Sequence, residues 1–333
     1  MQWYRRLTSD SGEAVSQHSR ASRESAPQDG RARGQSVPQD APADARMVAE
    51  PAPARKDTAG VRIYVKVDME GVSGIVSPEQ VKPGAAEYRD GRRMLMRDLT
   101  AVLEGAFSAG CTEALVYDAH SAGRNVDMES LDPRVSVISG RPLPRDGFYC
   151  GLDDSFRALF LVGYHARAGS QDAVLPRTYE DDIASLKVNG TEIGEIGMEA
   201  ALAGKFGVPL VFVSADSGGV REARELLGDD VQAVEVKKAV TATSGVCLPV
   251  TRTEDLLRDA AARALRHAAS VPPVVFQSPT TLEVIFRSAE SADAVARMPE
   301  IERTGPDTVR TQGPSILVAY RNFVLARQGN GSP

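Results

Sequence analysis

The stretch VRIYVKVDMEG, residues 61–71, opens the folded part of the chain and ends in two acidic residues one position apart. Its first seven residues alternate apolar and other side chains and are rich in Val and Ile, which predicts a β-strand. In extended backbone, residues two apart point to the same side, so the carboxylates of Asp68 and Glu70 would face one spot. Such carboxylates repel each other, and a divalent cation between them would remove the conflict.

The residues before this strand have a different composition. Residues 1–60 are rich in Ser, Ala, Pro, Gly and charged residues and poor in large apolar ones. Such a segment cannot bury enough apolar surface to offset its ordering entropy, so we predict a disordered tail. The folded domain is then expected over residues 61–330.

Strand and helix patterns alternate after the first strand. Further strands are predicted at the apolar segments EALVYDAH, RALFLVGYHA, PLVFVSAD, AVEVKKAV and TTLEVIF, and Asn189-Gly190 predicts a hairpin turn. Helices are predicted over residues 88–109, 195–206, 219–227, 253–268 and 314–327. This alternation is typical of an α/β fold with a largely parallel sheet and flanking helices, here with a smaller C-terminal α/β portion.

Composition argues against several classes of function. The 333 residues are 42% hydrophobic, enough for a sizeable core, and the formal net charge of −6 lacks the basic excess of nucleic-acid-binding proteins. No apolar run reaches the roughly 18 residues needed to cross a bilayer, and no signal-peptide core follows Arg5-Arg6. Three widely spaced cysteines indicate buried small apolar residues rather than disulfides. We therefore predict a cytoplasmic protein without nucleic-acid or membrane partners.

Polar residues follow three of the predicted strands, in the triplets Asp68-Met69-Glu70, Asp118-Ala119-His120 and Gly163-Tyr164-His165. In open α/β sheets, ligands bind outside the carboxyl ends of the strands. A neutral imidazole there can ligate a metal ion, and the carboxylate of Asp118 would orient the ring of His120. Two of only four histidines lie at these strand ends, which favours a metal site over two separate structural histidines.

Three other features leave two interpretations open. Glu195 opens a predicted helix, where a first-turn glutamate commonly complements the helix dipole. The Gly71-x-x-Gly74 segment could cradle a phosphate, as in a nucleotide-binding α/β protein, but it lacks the Lys-Ser/Thr of a P-loop. Ser217-Gly218-Gly219 could bind an anion through backbone N–H groups, although a turn and helix cap is the favoured explanation.

Several motifs together resemble one known family. The segments VDMEG, YDAHS, GLDD, LVGYHARAG and NG-x-x-x-GE-x-G occur in the order found in D-aminopeptidases of the DppA type, over about residues 61–327. The resemblance implies a self-compartmentalising zinc aminopeptidase, in which metal-bound hydroxide attacks the N-terminal amide of a short peptide or aminoacyl amide and releases a D-residue. It also implies a homo-oligomer, expected as a ring-like decamer.

The resemblance further implies two Zn²⁺ ions per subunit and a set of metal ligands. Asp68 would bridge the ions, Glu70 and His165 would complete the shell of one, and His120 and Glu195 that of the other. Glu195 would then be a ligand rather than a helix-dipole partner. Carboxylate and imidazole ligands without thiolates are typical of catalytic zinc, although they would also accept Mn²⁺ or Co²⁺.

One position departs from the family pattern. The family carries a catalytic histidine in a segment resembling V-L-x-H-T-Y, whereas residues 174–179 read VLPRTY and place Arg177 there. Arginine stays protonated, so it cannot act as a general base, but it could stabilise an oxyanion or hold a substrate carboxylate. Glu180, Asp181 or Asp182 could supply a base, although a solvated acidic face is the simpler interpretation. The departure also permits a catalytically silent or repurposed family member that keeps the metal site.

Overall fold

Two β-sheets organise the chain in this computed structural model, which describes residues 60–141 and 149–328. The predicted disordered tail over residues 1–60 lies outside the described residues, apart from Gly60. Numbered in chain order, the described strands are β1 (Val61–Val67), β2 (Cys111–Asp118), β3 (Val135–Ile138), β4 (Ala158–Tyr164), β5 (Ile183–Val188), β6 (Thr191–Glu192), β7 (Leu210–Asp216), β8 (Gln232–Thr241), β9 (Ser244–Cys247), β10 (Thr280–Phe286), β11 (Glu302–Arg303) and β12 (Thr308–Gly313).

Five of the six described α-helices lie close to their predicted bounds, and the short helix over Ala289–Val295 was not predicted. The six helices are α1 (Tyr88–Ser108), α2 (Glu195–Gly204), α3 (Ser217–Leu227), α4 (Val250–His267), α5 (Ala289–Val295) and α6 (Ile316–Gln328). The ends of the predicted helices differ from these by up to three residues, which is within the fraying expected at helix termini. Among the described residues, no helix is both long and apolar enough to span a bilayer.

The larger sheet has seven strands in the order β3-β2-β1-β4-β7-β8-β9. All neighbours from β3 to β8 are parallel, and β9 alone runs antiparallel at the edge, which confirms the predicted largely parallel sheet. Side chains of β1 alternate between its two faces. Ile63, Val65 and Val67 pack with α1 and α4, whereas Tyr64 joins the core on the other face. Both faces are therefore covered, as expected for parallel strands.

The smaller sheet has five strands in the order β11-β12-β10-β5-β6, all paired antiparallel. It confirms a smaller second portion, but this portion is not purely C-terminal, because the hairpin of β5 and β6 joins it. Asn189 and Gly190 connect that hairpin with φ values of 48° and 82°, as a two-residue primed turn requires. All ten residues of α2 are buried, and they belong to an apolar core shared with residues of this sheet.

The cysteines follow the prediction only in part. All three thiols are free, and Cys111 and Cys150 are buried. Cys247 is exposed at the end of the edge strand β9, so its assignment as a buried apolar residue is wrong. In a half-covered edge strand of only four residues, the alternation of apolar and polar side chains is too short to show which face is buried.

The close crossing of α1 and α4 yields a test of the fold. A Cβ atom at Gly105 would lie 2.1 Å from the carbonyl oxygen of Arg258 and 3.0 Å from the Cβ of Ala261. We expect Gly105→Ala to lower the free energy of unfolding by about 1–3 kcal/mol, because overpacking separates the helices. Without the clash, replacing glycine by alanine in a helix would raise the free energy of unfolding by roughly 0.5–1 kcal/mol. The sign of the measured change therefore shows whether the two helices cross this closely. Urea unfolding followed by circular dichroism measures it, and a more stable variant would contradict the crossing.

Candidate metal centre

The larger sheet places three of the predicted ligands close together at the carboxyl ends of its strands. These are Asp68, His120 and His165, which follow the neighbouring strands β1, β2 and β4. The N–H of Asp68 donates to the carbonyl of Val162 at 2.9 Å, so the pairing of β1 with β4 continues to this residue. On the other side, the N–H of Ala119 donates to the last carbonyl of β1 at 3.0 Å. Parallel pairing therefore fixes the relative positions of all three side chains.

The five residues predicted as ligands converge in one buried cluster. His120 Nδ1 lies 2.9 Å from Asp68 Oδ1 and 3.2 Å from Glu70 Oε2. His165 Nε2 lies 3.2 Å from Asp68 Oδ2 and 3.4 Å from Glu195 Oε1. Asp68 thus contacts both imidazoles and occupies the middle of the cluster. All five residues are at least nine-tenths buried.

The donor atoms fit a metal ion. One atom each of Asp68, Glu70 and His165 lie within 4.8 Å of one another, the same three residues that the resemblance assigns to one ion. Glu70 Oε2 and His165 Nε2 are buried and make no well-aligned hydrogen bond, although each lies 3.2 Å from an atom of another cluster residue and buried polar atoms are normally satisfied. After Asp68, the nearest carboxylate to the His120 ring is Glu70 and the nearest to the His165 ring is Glu195, so the division of ligands between two ions stays a prediction.

Burial and charge determine the protonation of the cluster. Burial alone would lower the pKa of His120, but hydrogen bonds with Asp68 and Glu70 raise it to about 11. Burial opposes the charge of His165 as well, and Glu195 and Asp68 raise its pKa well above the ordinary value. Burial would raise the pKa of Asp68, yet its bonds to both imidazoles hold it well below its usual range. Protonated imidazoles therefore supply positive charge that a divalent cation would replace, with release of protons.

The ring of His120 is oriented by a backbone carbonyl. Its Nε2 lies 2.7 Å from the carbonyl oxygen of Val81, which leaves Nδ1 directed at the carboxylates. The carboxylate of Asp118 instead accepts the backbone N–H groups of Asn125 and Val126 and the side-chain amide of Asn125. The prediction that Asp118 orients the His120 ring is therefore wrong, because the turn after β2 uses all of this carboxylate.

Glu195 is the first residue of α2, with its carboxylate directed at the cluster. Its Oε1 accepts the backbone N–H of Tyr179 at 2.7 Å and lies near the ring of His165. A helix N-terminus stabilises nearby negative charge, so the helix-dipole interpretation and the ligand interpretation of Glu195 are compatible. The buried helix fixes where this carboxylate can reach.

Arg177 lies against the cluster at its more open side. Its Nη1 donates to Glu70 Oε1 at 2.9 Å, and its Nη2 donates to the carbonyl of Tyr179 at 2.7 Å. The side chain is 29% exposed. Burial would lower its pKa, but the carboxylates of Glu70, Asp68 and Glu195 raise it. Arg177 therefore brings a permanent positive charge, and not a proton acceptor, to the position of the family's histidine.

The acidic residues that follow Arg177 favour the simpler interpretation of a solvated face. Glu180 is exposed, and the side chain of Asp181 is 97% exposed and 3.9 Å from Arg177. The carboxylate of Asp182 accepts two hydrogen bonds from Arg327, at 2.9 and 3.2 Å. None of the three belongs to the buried cluster, so a role as general base has no support from their positions.

The loop that begins at Gly71 is packed against protein backbone rather than shaped for a phosphate. The N–H of Gly71 donates to the carbonyl of Gly163, and the N–H of Ser73 donates to the buried carboxylate of Asp98. A Cβ atom at Gly71 would lie 1.6 Å from the carbonyl oxygen of Tyr164, so close approach explains the glycine. These N–H groups are occupied, and the nearby carboxylate would repel an anion.

The second glycine-rich segment, Ser217-Gly218-Gly219, is a capped helix start, as favoured from the sequence. The carboxylate of Asp216 accepts the N–H of Gly219 at 2.9 Å and the N–H of Val174 at 2.5 Å. A protein carboxylate therefore already occupies the helix N-terminus that an anion would need. Neither glycine segment supports the nucleotide-binding alternative.

Side-chain motifs in the sequence did not reveal the groups that hold the candidate ligands in place. The Val81 carbonyl and the Tyr179 N–H belong to the backbone and carry no side-chain signal. Lys237 is different, because its side chain is fully buried and donates to backbone carbonyls beside Glu70. A lysine inside the apolar strand segment AVEVKKAV was the available signal for it.

Comparisons with known proteins agree with this fold. The family model described as D-aminopeptidase matches residues 61–325. The curated D-aminopeptidase of Bacillus subtilis (strain 168) is 33% identical over 266 residues, which cover 80% of this chain and 96% of that protein. A solved structure also matches, and it is described as the Zn-dependent D-aminopeptidase DppA from Bacillus subtilis, a self-compartmentalizing protease. The match has a TM-score of 0.77 and 32% sequence identity, and it covers 82% of this chain and 99% of that one. The chain therefore belongs to the D-aminopeptidase family, whose members are metallopeptidases.

Proposed function

We propose that this chain is a zinc-dependent aminopeptidase that hydrolyses the N-terminal amide of a short peptide or aminoacyl amide and releases a D-residue. The observation that supports this proposal is one buried cluster of two imidazoles and three carboxylates, with the carboxylate of Asp68 in contact with both imidazoles. The relatives named as D-aminopeptidases support the reaction and the stereochemical preference. The relative described as Zn-dependent supports the choice of metal.

We further propose two zinc ions per subunit. Asp68 would bridge them, Glu70 and His165 would hold one, and His120 and Glu195 would hold the other. When bound, the ions would polarise the amide carbonyl and lower the pKa of an attacking water. Glu70 Oε2 and His165 Nε2 support this occupancy, because neither makes a well-aligned hydrogen bond and an ion would satisfy both atoms. Mn²⁺ or Co²⁺ would suit the same oxygen and nitrogen donors.

The surrounding residues orient the ligands and receive the substrate. The Val81 carbonyl holds His120 in the tautomer that directs Nδ1 at the carboxylates, and the Tyr179 N–H orients Glu195. Arg177 would donate to the developing oxyanion or to a substrate carboxylate, because its fixed charge sits at the more open side of the cluster. Since Arg177 stays protonated and cannot transfer a proton, Glu70 or Glu195 would deliver one to the leaving amine.

A catalytically silent or repurposed family member is the second candidate. The ion pair between Arg177 and Glu70 favours it, because the guanidinium engages an oxygen of a proposed ligand at 2.9 Å. In that case the chain would keep the metal site for binding or assembly without turning over an amide. The two candidates share the metal site and differ in catalysis.

The assembly and location are proposed from the family. One relative is described as self-compartmentalizing, and we propose a homo-oligomer for this chain, with a ring-like decamer as the expected form. The mass of the protein in solution, measured by light scattering, tests this state. The cytoplasmic location stays a prediction from the cysteine pattern.

Removal of the central carboxylate tests the metal site. We expect Asp68→Ala to lose most bound zinc and all measurable activity, because both proposed ions lose a shared ligand. Metal analysis of the purified protein and a discontinuous assay with D-alanyl amide provide the readouts. Asp181→Ala is the matched control, since this exposed carboxylate lies outside the cluster and should leave both quantities unchanged. Unchanged zinc content in Asp68→Ala would reject the assignment.

Substitution of Arg177 separates the active enzyme from the silent relative. If the chain is active, wild-type protein releases amino acid from D-aminoacyl amides or dipeptides. Arg177→Met should then lower kcat by roughly 10²–10³-fold with zinc retained, as for loss of an oxyanion donor. A screen of L- and D-aminoacyl amides and dipeptides measures this. An inert wild type together with an active Arg177→His variant would instead establish the silent candidate.

A further inference from the structure

Lys237, in the middle of β8, is a fully buried lysine with an unusual set of acceptors. Its Nζ donates to the backbone carbonyl oxygens of Glu70 at 2.6 Å, Val72 at 2.9 Å and Ile75 at 2.5 Å. An ammonium group has three donor hydrogens, so these three bonds use all of them. The whole hydrogen-bonding capacity of this buried charge is directed at one loop, which is about 165 residues away in the sequence.

The opposite side of the same loop is held by a buried anion. Asp98, on α1, is fully buried, and its Oδ2 accepts the backbone N–H of Ser73 at 2.8 Å. Lys237 therefore binds three backbone carbonyls of residues 70–75, and Asp98 binds one backbone N–H of the same loop. We call these two residues the loop clamp. Because both groups are away from water, each bond to them is stronger than a surface contact.

The clamped loop joins directly to the metal centre. It begins at Glu70, two residues after Asp68, and Gly71 at its start is packed against the carbonyl of Tyr164, the residue before His165. A shift of the loop would displace the carboxylate of Glu70 from His120, which lies 3.2 Å away. The clamp thus acts on the backbone that places one ligand relative to the others.

We infer that Lys237 is a positioning residue for the metal centre, which fixes the backbone of Glu70 before an ion binds. The inference rests on the proposed metal site and adds a determinant of its affinity. Supporting partners outside the ligand set hold ligands in their binding geometry, and their loss typically weakens metal binding or activity by about 10–100-fold. Asp98 contributes to the same positioning through Ser73.

A second buried lysine provides a matched control. Lys66, on β1, is 3% exposed and forms an ion pair with Glu199 at 2.6 Å and a hydrogen bond to the hydroxyl of Tyr149 at 2.9 Å. Its partners are side chains, and none of them belongs to residues 70–75. Removal of either lysine leaves buried partners unsatisfied and should destabilise the fold. Only the removal of Lys237 should also alter the metal centre.

The experiment compares Lys237→Met, Lys237→Gln and Lys66→Met in the full chain. Zinc dissociation constants come from competition with a chromophoric chelator, and thermal unfolding in excess chelator reports the stability of the metal-free fold. We expect Lys237→Met to weaken zinc binding by about 10–100-fold. Lys66→Met should lower the unfolding temperature but leave the zinc dissociation constant unchanged. Lys237→Gln, which keeps two donors, should give an intermediate loss of affinity.

The outcomes separate the inference from the function on which it rests. Wild-type protein that binds no zinc would reject the proposed metal site, and the inference with it. Wild-type protein that binds zinc, with Lys237 variants of equal affinity, would overturn the inference alone. An equal loss of affinity in Lys66→Met would also overturn it, because the effect would then follow from general destabilisation. If Lys237→Met does not fold, Lys237→Gln and the isosteric Asp98→Asn decide in the same way.

Discussion

Three carboxylates meet in a buried volume at the edge of a parallel sheet, and their mutual repulsion is the constraint on which the site depends. Asp68, Glu70 and Glu195 are each at least nine-tenths buried, so water screens their charges poorly. Positive groups offset this repulsion from two directions. The imidazoles of His120 and His165 do so inside the cluster, and Arg177 does so at its open side. The same arrangement suits the cluster to the divalent cations that we propose for it.

The sheet and its connections determine where these charges can meet. Parallel pairing aligns the ends of three adjacent strands, and the N-terminus of α2 brings the last carboxylate to them. Backbone groups then refine the arrangement, since the Val81 carbonyl and the Tyr179 N–H each bind one ligand directly. The loop clamp acts less directly, because the buried ammonium group of Lys237 binds the backbone of Glu70 rather than its side chain.

The fold class and four members of the cluster, Asp68, Glu70, His120 and His165, were accessible from the sequence because they depend on local patterns, whereas only the family resemblance assigned Glu195 to the cluster. Strand periodicity located the ends of β1, β2 and β4, and the polar residues after them were visible at once. The orientation of His120 and the true partners of Asp118 were not, because a turn of several residues decides them. Pairing of the β5–β6 hairpin with β10 joins segments roughly 100 residues apart, and periodicity carries no information on such pairing. The role of Lys237 was not predicted for the same reason, because its hydrogen-bond acceptors lie on a loop that is distant in sequence.

The complete burial of α2 has a consequence for the dynamics of the centre. A helix without a solvent-facing side cannot fray or tilt alone, so its amide hydrogens should exchange with solvent only when the surrounding core opens. Glu195 therefore projects from a fully buried helix, whereas Arg177 projects from an irregular, partly open segment. If this difference in burial carries over to stiffness, adaptation to differently shaped peptides would occur on the arginine side.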